Sequence, residues 1–236
     1  MRKLILICAL FCGFFCNAQD TYFTTYRFTV EPENVSAIYN LFDNYYSEAG
    51  NKPEGVSVGL YENHLNDSGN NHSHSVVFSG TLDAIGGMYD GGSDDAWNLF
   101  LTKVNQLTEE GMSSASGKVM SSHGESDDTY RFQRYYIVDV DETAKFKKEH
   151  DKYMENHRPD GMTNAMGSIS IGQGPDGGNT WVINRFKDFK SALGGANSLR
   201  TEAEIEASKK AYKERWENSG EVSLVRSGLR ILLKSW

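Results

Sequence analysis

The sequence predicts an α+β protein built from two tandem βαββαβ units. Three observations carry this. Tyr130–Val138 (Tyr-Arg-Phe-Gln-Arg-Tyr-Tyr-Ile-Val) repeats the character of Tyr22–Val30 (Tyr-Phe-Thr-Thr-Tyr-Arg-Phe-Thr-Val). Landmarks downstream recur at a nearly fixed offset: Gly194-Gly195 follows Gly86-Gly87 by 108 residues, and Pro159-Asp160-Gly161 follows Pro53-Glu54-Gly55 by 106. In both copies, runs with a period of two alternate with runs of helical period in the same order.

In the first copy, Tyr22–Val30 reads as a strand, with Tyr22, Tyr26, Phe28 and Val30 on one face. Glu31-Pro32-Glu33-Asn34 opens a helix, since proline suits a first turn and acids suit its positive end. Val35, Ile38, Phe42 and Tyr45 recur at helical spacing, and Gly50 with Pro53 ends the run. Strands are predicted over Val56–Tyr61 and Ser73–Phe78 around a polar turn at Asn63–Asn71. Thr81–Met88 reads as a short helix ended by its glycines. Ser93 or Asp94 then caps a helix over Ala96–Glu109, whose stripe is Trp97, Phe100, Leu101, Val104 and Leu107. Met112–Met120 is the last strand of the copy, and polar Ser121–Thr129 reads as a linker.

The second copy repeats this order. Tyr130–Val138 is a strand and Glu142–His157 a helix. Met162–Ile171 and Asn179–Phe186 are strands joined by the glycine-rich Gly172–Gly178. Asp188–Leu193 is a short helix ending at Gly194-Gly195. Thr201 and Glu204 form a capping box for a longer helix, and Glu221–Leu233 closes the unit. The expected division is 1–18 signal peptide, 19–120 first repeat, 121–129 linker and 130–236 second repeat.

The N-terminus reads as an export signal: Arg2-Lys3, then apolar Leu4–Cys16, then Cys16-Asn17-Ala18 with cleavage before Gln19. Phenylalanine before Cys12 and Cys16 argues against a lipoprotein. Removal would take away all three cysteines, Cys8, Cys12 and Cys16, leaving no thiol or disulfide. Losing Arg2 and Lys3 moves the formal charge from −8 to −10, which disfavours nucleic acid and anionic membrane as partners. The expected location is periplasmic or secreted.

The element order, the duplication and the short helix before the long one resemble the ferredoxin-like module of the dimeric α/β-barrel superfamily. That superfamily includes antibiotic-biosynthesis-type monooxygenases and related small-ligand proteins. The resemblance covers Tyr22–Leu233 and implies two antiparallel sheets packed face to face as an α/β barrel, helices outside. Each half then covers the sheet face the other leaves bare. It also implies function: an exported small-ligand-binding or scaffold protein, monomer or homodimer. Two alternatives are a monooxygenase-like enzyme acting on a small aromatic or polyketide-like substrate, and a haem-handling protein with His150 or His157 as axial ligand. No cofactor is otherwise implied.

Candidate site residues come from the comparison of copies and from polar groups on strands. At an offset of 108, Phe42 matches His150, Asp43 matches Asp151 and Tyr45 matches Tyr153. A histidine in place of a core aromatic could act as a base, so His150 and Asn184 are the catalytic candidates; the plainer reading is a half-buried histidine bonded to a carbonyl. Arg27, Gln133, Arg134, Tyr135, Trp181, Asn184, Arg185, Arg226 and Arg230 all fall on strands, where a doubly covered sheet should be apolar. Arg27, Arg134, Tyr135, Tyr153, Trp181 and Arg226 form the ligand-binding candidates, for an anionic or hydrogen-bonding ligand in a cavity between the sheets. The alternative is pairing of these arginines with surface acids. His72 and His74, with His64 and Asp67 nearby, are the metal candidates; the second copy lacks them and their spacing matches no metal motif. The serines form no nucleophile elbow, so no hydrolase is indicated.

Overall fold

The structure is a computed structural model that describes residues 20–66, 71–90, 92, 94–174 and 177–236. The expected signal segment 1–18, Asp67 and Ser93 lie outside these residues. Eight strands are found among the described residues: β1 (Tyr22–Phe28), β2 (Val56–Leu65), β3 (His74–Gly80), β4 (Ser113–His123), β5 (Phe132–Val140), β6 (Met162–Ile171), β7 (Thr180–Phe186) and β8 (Val222–Ser235). Six α-helices are described: α1 (Val35–Ser47), α2 (Leu82–Asp90), α3 (Asp95–Leu107), α4 (Thr143–His157), α5 (Phe189–Gly194) and α6 (Glu202–Asn218).

All strand pairs are antiparallel, and the strands close in the order β1-β3-β2-β8-β5-β7-β6-β4. Within that ring both halves have one internal order, β4-β1-β3-β2 and β8-β5-β7-β6. The outer strand of each half pairs with the closing strand of the other, at β2–β8 and β4–β6. Closure leaves no free edge among the described strands and satisfies the backbone groups an open sheet would expose. The expected barrel therefore forms within a single chain.

Strand alternation separates two environments. On β1, Tyr26 and Phe28 face the helices, where Phe28 joins a core with Ile38, Phe42 and Phe100. Phe23, Thr25 and Arg27 line the lumen. Two aspartates at matching positions tie each half to the other. Asp43 on α1 accepts from Lys234 and from Trp236 Nε1 (3.2 Å) at the end of β8. Asp151 on α4 accepts from His123 Nε2 (3.0 Å) at the end of β4.

Several boundaries differ from the sequence reading. A 3-10 turn, Pro32–Asn34, precedes α1. β2 continues to Leu65, because its pairing with β8 extends it through polar Asn63. β4 reaches His123 through pairing with β6, so the strand takes residues 121–123 from the expected linker. Gly86-Gly87 do not end a helix but lie inside α2, whereas Gly194-Gly195 do end α5, with Gly195 at φ 67°. Leu101 is exposed while Phe100 and Val104 carry the buried face of α3. The caps at Asp94 and Asp188 and the box at Thr201–Glu204 are all formed. No described helix is long and apolar enough to cross a membrane.

Candidate functional site

The helix–sheet layer of the second half contains a cavity of about 610 Å³ between α4, α6 and the outer face of β5 and β7. His150 on its wall is fully buried. Its Nδ1 lies 3.0 Å from Arg215 Nη2, and its Nε2 lies 2.7 Å from Asn164 Oδ1. A guanidinium can only donate, so Nδ1 accepts and the ring proton sits on Nε2, donated to Asn164. Asn164 Nδ2 in turn donates to Asn184 Oδ1 (2.8 Å) and to the Ile183 carbonyl. Burial and the adjacent Arg215 push the His150 pKa down to about 4, so the ring is neutral near pH 7.

Arg215 is the charged member of this network. It is buried, and the rings of Trp216, Tyr153 and Phe146 flank its guanidinium at 4.9, 5.5 and 5.7 Å. No described carboxylate pairs with it, and its Nε is buried without a hydrogen-bond partner among the described residues. Burial holds its pKa below the usual arginine range. An unpaired buried cation is costly unless an anion joins it. Arg134, Arg200 and Lys209 also line the cavity, and the described lining includes no carboxylate. Gly195 makes room for Arg134: a Cβ there would lie 2.6 Å from its Nη1. Arg200 is fixed by Tyr153 Oη (3.2 Å) and the His157 carbonyl.

The ligand-binding candidates are divided between two cavities. Arg134 and Tyr153 line the helix–sheet cavity, with His150 and Asn184. Arg27, Tyr135, Trp181 and Arg226 line the barrel lumen, a separate cavity of about 440 Å³. The cause is strand alternation: Arg134 and Tyr135 are neighbours on β5 and must face opposite sides. Tyr135 donates to Asn66 Oδ1 (3.2 Å), its hydroxyl lying beside Gly228 of β8. Arg215 and Asn164 were not among the sequence candidates. The signal for Asn164 was an amide on an apolar strand; for Arg215 the helix pattern alone gave none.

The metal candidates do not converge. The strand begins at His74, so alternation does not carry back to His72. His74 stacks on Phe28 in the core at 6.0 Å. Burial lowers the pKa of His72, and the nearby charges of Arg27 and Arg226 lower it further. Cations beside an imidazole oppose a metal there. His64 pairs with Glu62. No group of three metal-binding side chains comes together among the described residues. As an axial haem ligand His150 does not fit, because both ring nitrogens are engaged; His157 is not part of the cavity lining.

No protein-family profile matches the sequence. No curated protein matches it in sequence. Solved structures do match in shape. A candidate monooxygenase from Fusobacterium nucleatum subsp. nucleatum superposes with a TM-score of 0.57 at 15% identity, covering 92% of this chain and 94% of that one. A candidate monooxygenase from Lactobacillus acidophilus gives 0.58 at 15% identity over 92% and 100%. An anthrone oxidase-like protein gives 0.58 at 11% identity over 93% and 94%. The closed eight-stranded barrel, its two like halves and these superpositions give one conclusion: the chain has the fold of the dimeric α/β-barrel superfamily, with both halves of the barrel supplied by one polypeptide.

Proposed function

We propose that this protein binds a small aromatic molecule carrying an acidic oxygen in the helix–sheet cavity of its second half. The observation that carries the reading is Arg215: a buried guanidinium on a cavity wall, with aromatic rings beside it and no carboxylate partner among the described residues. A bound phenolate or carboxylate would supply the missing charge, and the rings of Tyr153, Tyr212 and Trp216 would hold a flat apolar body. The cavity volume falls within the usual range for small-molecule sites. Neutral His150 holds Arg215 and Asn164 in position without adding a second charge.

The test uses 1,8-dihydroxyanthraquinone, whose absorbance reports ionisation of its phenol. Wild-type protein should bind it, raise its own melting temperature, and shift the dye towards its phenolate colour. Arg215→Met should lose the colour shift. A wild-type protein that binds the dye with no colour shift, or an Arg215→Met variant that keeps the shift, would refute the reading.

The likeness to candidate monooxygenases and to an anthrone oxidase-like protein supports a second reading, in which the bound aromatic is also oxidised. This chain's contribution would be proton removal: Arg215 turns to the ligand, Nδ1 of His150 accepts the proton, and the ligand anion stays beside the guanidinium. A histidine with a pKa near 4 is a poor base at neutral pH, which ranks binding ahead of turnover. Oxygen uptake with an anthrone substrate, lost in His150→Leu while the dye still binds, would move the ranking. No step is routed through haem. Export belongs to the same proposal; a mature N-terminus other than Gln19 would count against the signal reading.

A further inference from the structure

We propose that the barrel lumen is a second ligand site, separate from the helix–sheet cavity, and that it takes a small aromatic carboxylate. The lumen has two poles. At one, Phe23 meets Trp181 edge-on at 5.6 Å, beside Ile169 and Ile183. Gly167 shapes this pole: a Cβ there would come 2.4 Å from the Trp181 ring. The absent side chain lets the indole lie against the barrel wall and leaves the lumen open.

At the other pole, guanidinium groups converge. Gln133 stands opposite Arg185 on β7 and opposite Arg230 on β8. Arg230 donates through Nε to Gln133 Oε1 (3.0 Å) and lies over the Tyr61 ring at 4.1 Å. Burial lowers its pKa, and repulsion from Arg185 and Arg27 lowers it further. Like charges gathered in a low-dielectric space oppose one another, and the described lining offers no carboxylate to offset them. In a chain of formal charge −8, cations gathered in an internal space indicate an anion.

A third observation concerns orphan donors. Arg185 Nε and Trp181 Nε1 are buried and have no hydrogen-bond partner among the described residues, and both residues line the lumen. Arg185 Nε, at the cationic pole, lacks the acceptor that a carboxylate provides. The arginine forks suit its planar pair of oxygens, while the indole pole suits an aromatic ring.

The test is titration of Arg215→Met protein, in which the helix–sheet cavity has lost its buried cation, with 2-naphthoate, compared with neutral naphthalene-2-carboxamide of the same shape. The expected result is saturable one-to-one binding, with the acid at least tenfold tighter than the amide. Arg230→Gln should weaken naphthoate at least tenfold and remove the preference. Arg185→Gln should do the same, and decides the matter where Arg230→Gln fails to fold. Equal affinity for acid and amide, no naphthoate binding, or binding kept at full strength when Arg185→Gln or Arg230→Gln is added would overturn the proposal. Each result is independent of the dye experiment on the helix–sheet cavity.

Discussion

The first half fills its helix–sheet layer with Phe42, Val58, Phe78 and Phe100; the second half puts His150, Asn164, Asn184 and Arg215 in the corresponding places. The pairing register supports the match: Val58 stands opposite Phe78 on β2 and β3, and Asn164 opposite Asn184 on β6 and β7. Phe100 packs on Phe42 and Tyr45 at 5.1 and 4.3 Å. Arg215 bonds to His150 and lies over Tyr153. An apolar cluster has thus become a polar one in the same architecture. Replacing packed rings by buried polar groups gains no stability by itself. The first half shows that this fold needs no such network to hold a helix pair on its sheet. What the second half obtains instead is a cavity with charge on its wall.

The comparison can be broken or sharpened by variants in each half. The largest effect is expected in the first. Phe42→Ala removes a fully packed ring and should lower stability by about 3–5 kcal/mol, with no change in the dye colour at saturating ligand. Chemical denaturation with the absorbance read in parallel would check both. Loss of the colour would show that the two halves are not separable.

A somewhat smaller effect concerns acid. The folded pKa of His150, about 4, lies below its ordinary value near 6.5. Between these values the unfolded chain binds more protons than the folded one, so stability rises with pH. The contribution is full above about pH 6.5 and is lost as pH falls towards 4, with a total of roughly 3 kcal/mol. Denaturation of wild type and His150→Leu at several pH values should show the wild type losing that much more than the variant. Phe42, which matches His150 in the first half, does not titrate, and parallel pH curves for wild type and His150→Leu would contradict a buried neutral histidine.

The smallest effect concerns what the halves share. Asp94 caps α3 and Thr201 caps α6 through the same kind of bond, to Trp97 N and Glu204 N. Asp94→Ala and Thr201→Ala should each cost about 1 kcal/mol, within error of one another. A much larger cost at Thr201 would mean that α6 depends on its cap more than α3 does.

Much of this contrast was legible in the sequence. The Phe42-to-His150 exchange appears at a single offset, and Tyr45 with Tyr153 fixes the helix register. The strand partners were hidden because their offset is 106, not 108, so Val58 and Phe78 do not align with Asn164 and Asn184 at the helix spacing. Arg215 was hidden for another reason. α6 is 17 residues long against 13 for α3, and no constant offset relates them. Its role depends on His150 across a helix pair, a contact no local pattern records. The separation of Arg134 from Tyr135 was available from strand alternation alone, since neighbours on a strand cannot share a cavity.

The most direct test rebuilds the second half in the image of the first. His150→Phe, Asn164→Val, Asn184→Phe and Arg215→Phe would be combined in one chain, and its unfolding free energy measured with its response to 1,8-dihydroxyanthraquinone. The account predicts stability unchanged or raised by about 1–4 kcal/mol, together with complete loss of the dye's colour shift. A chain several kcal/mol less stable than wild type, or one that still turns the dye to its phenolate colour, would contradict it.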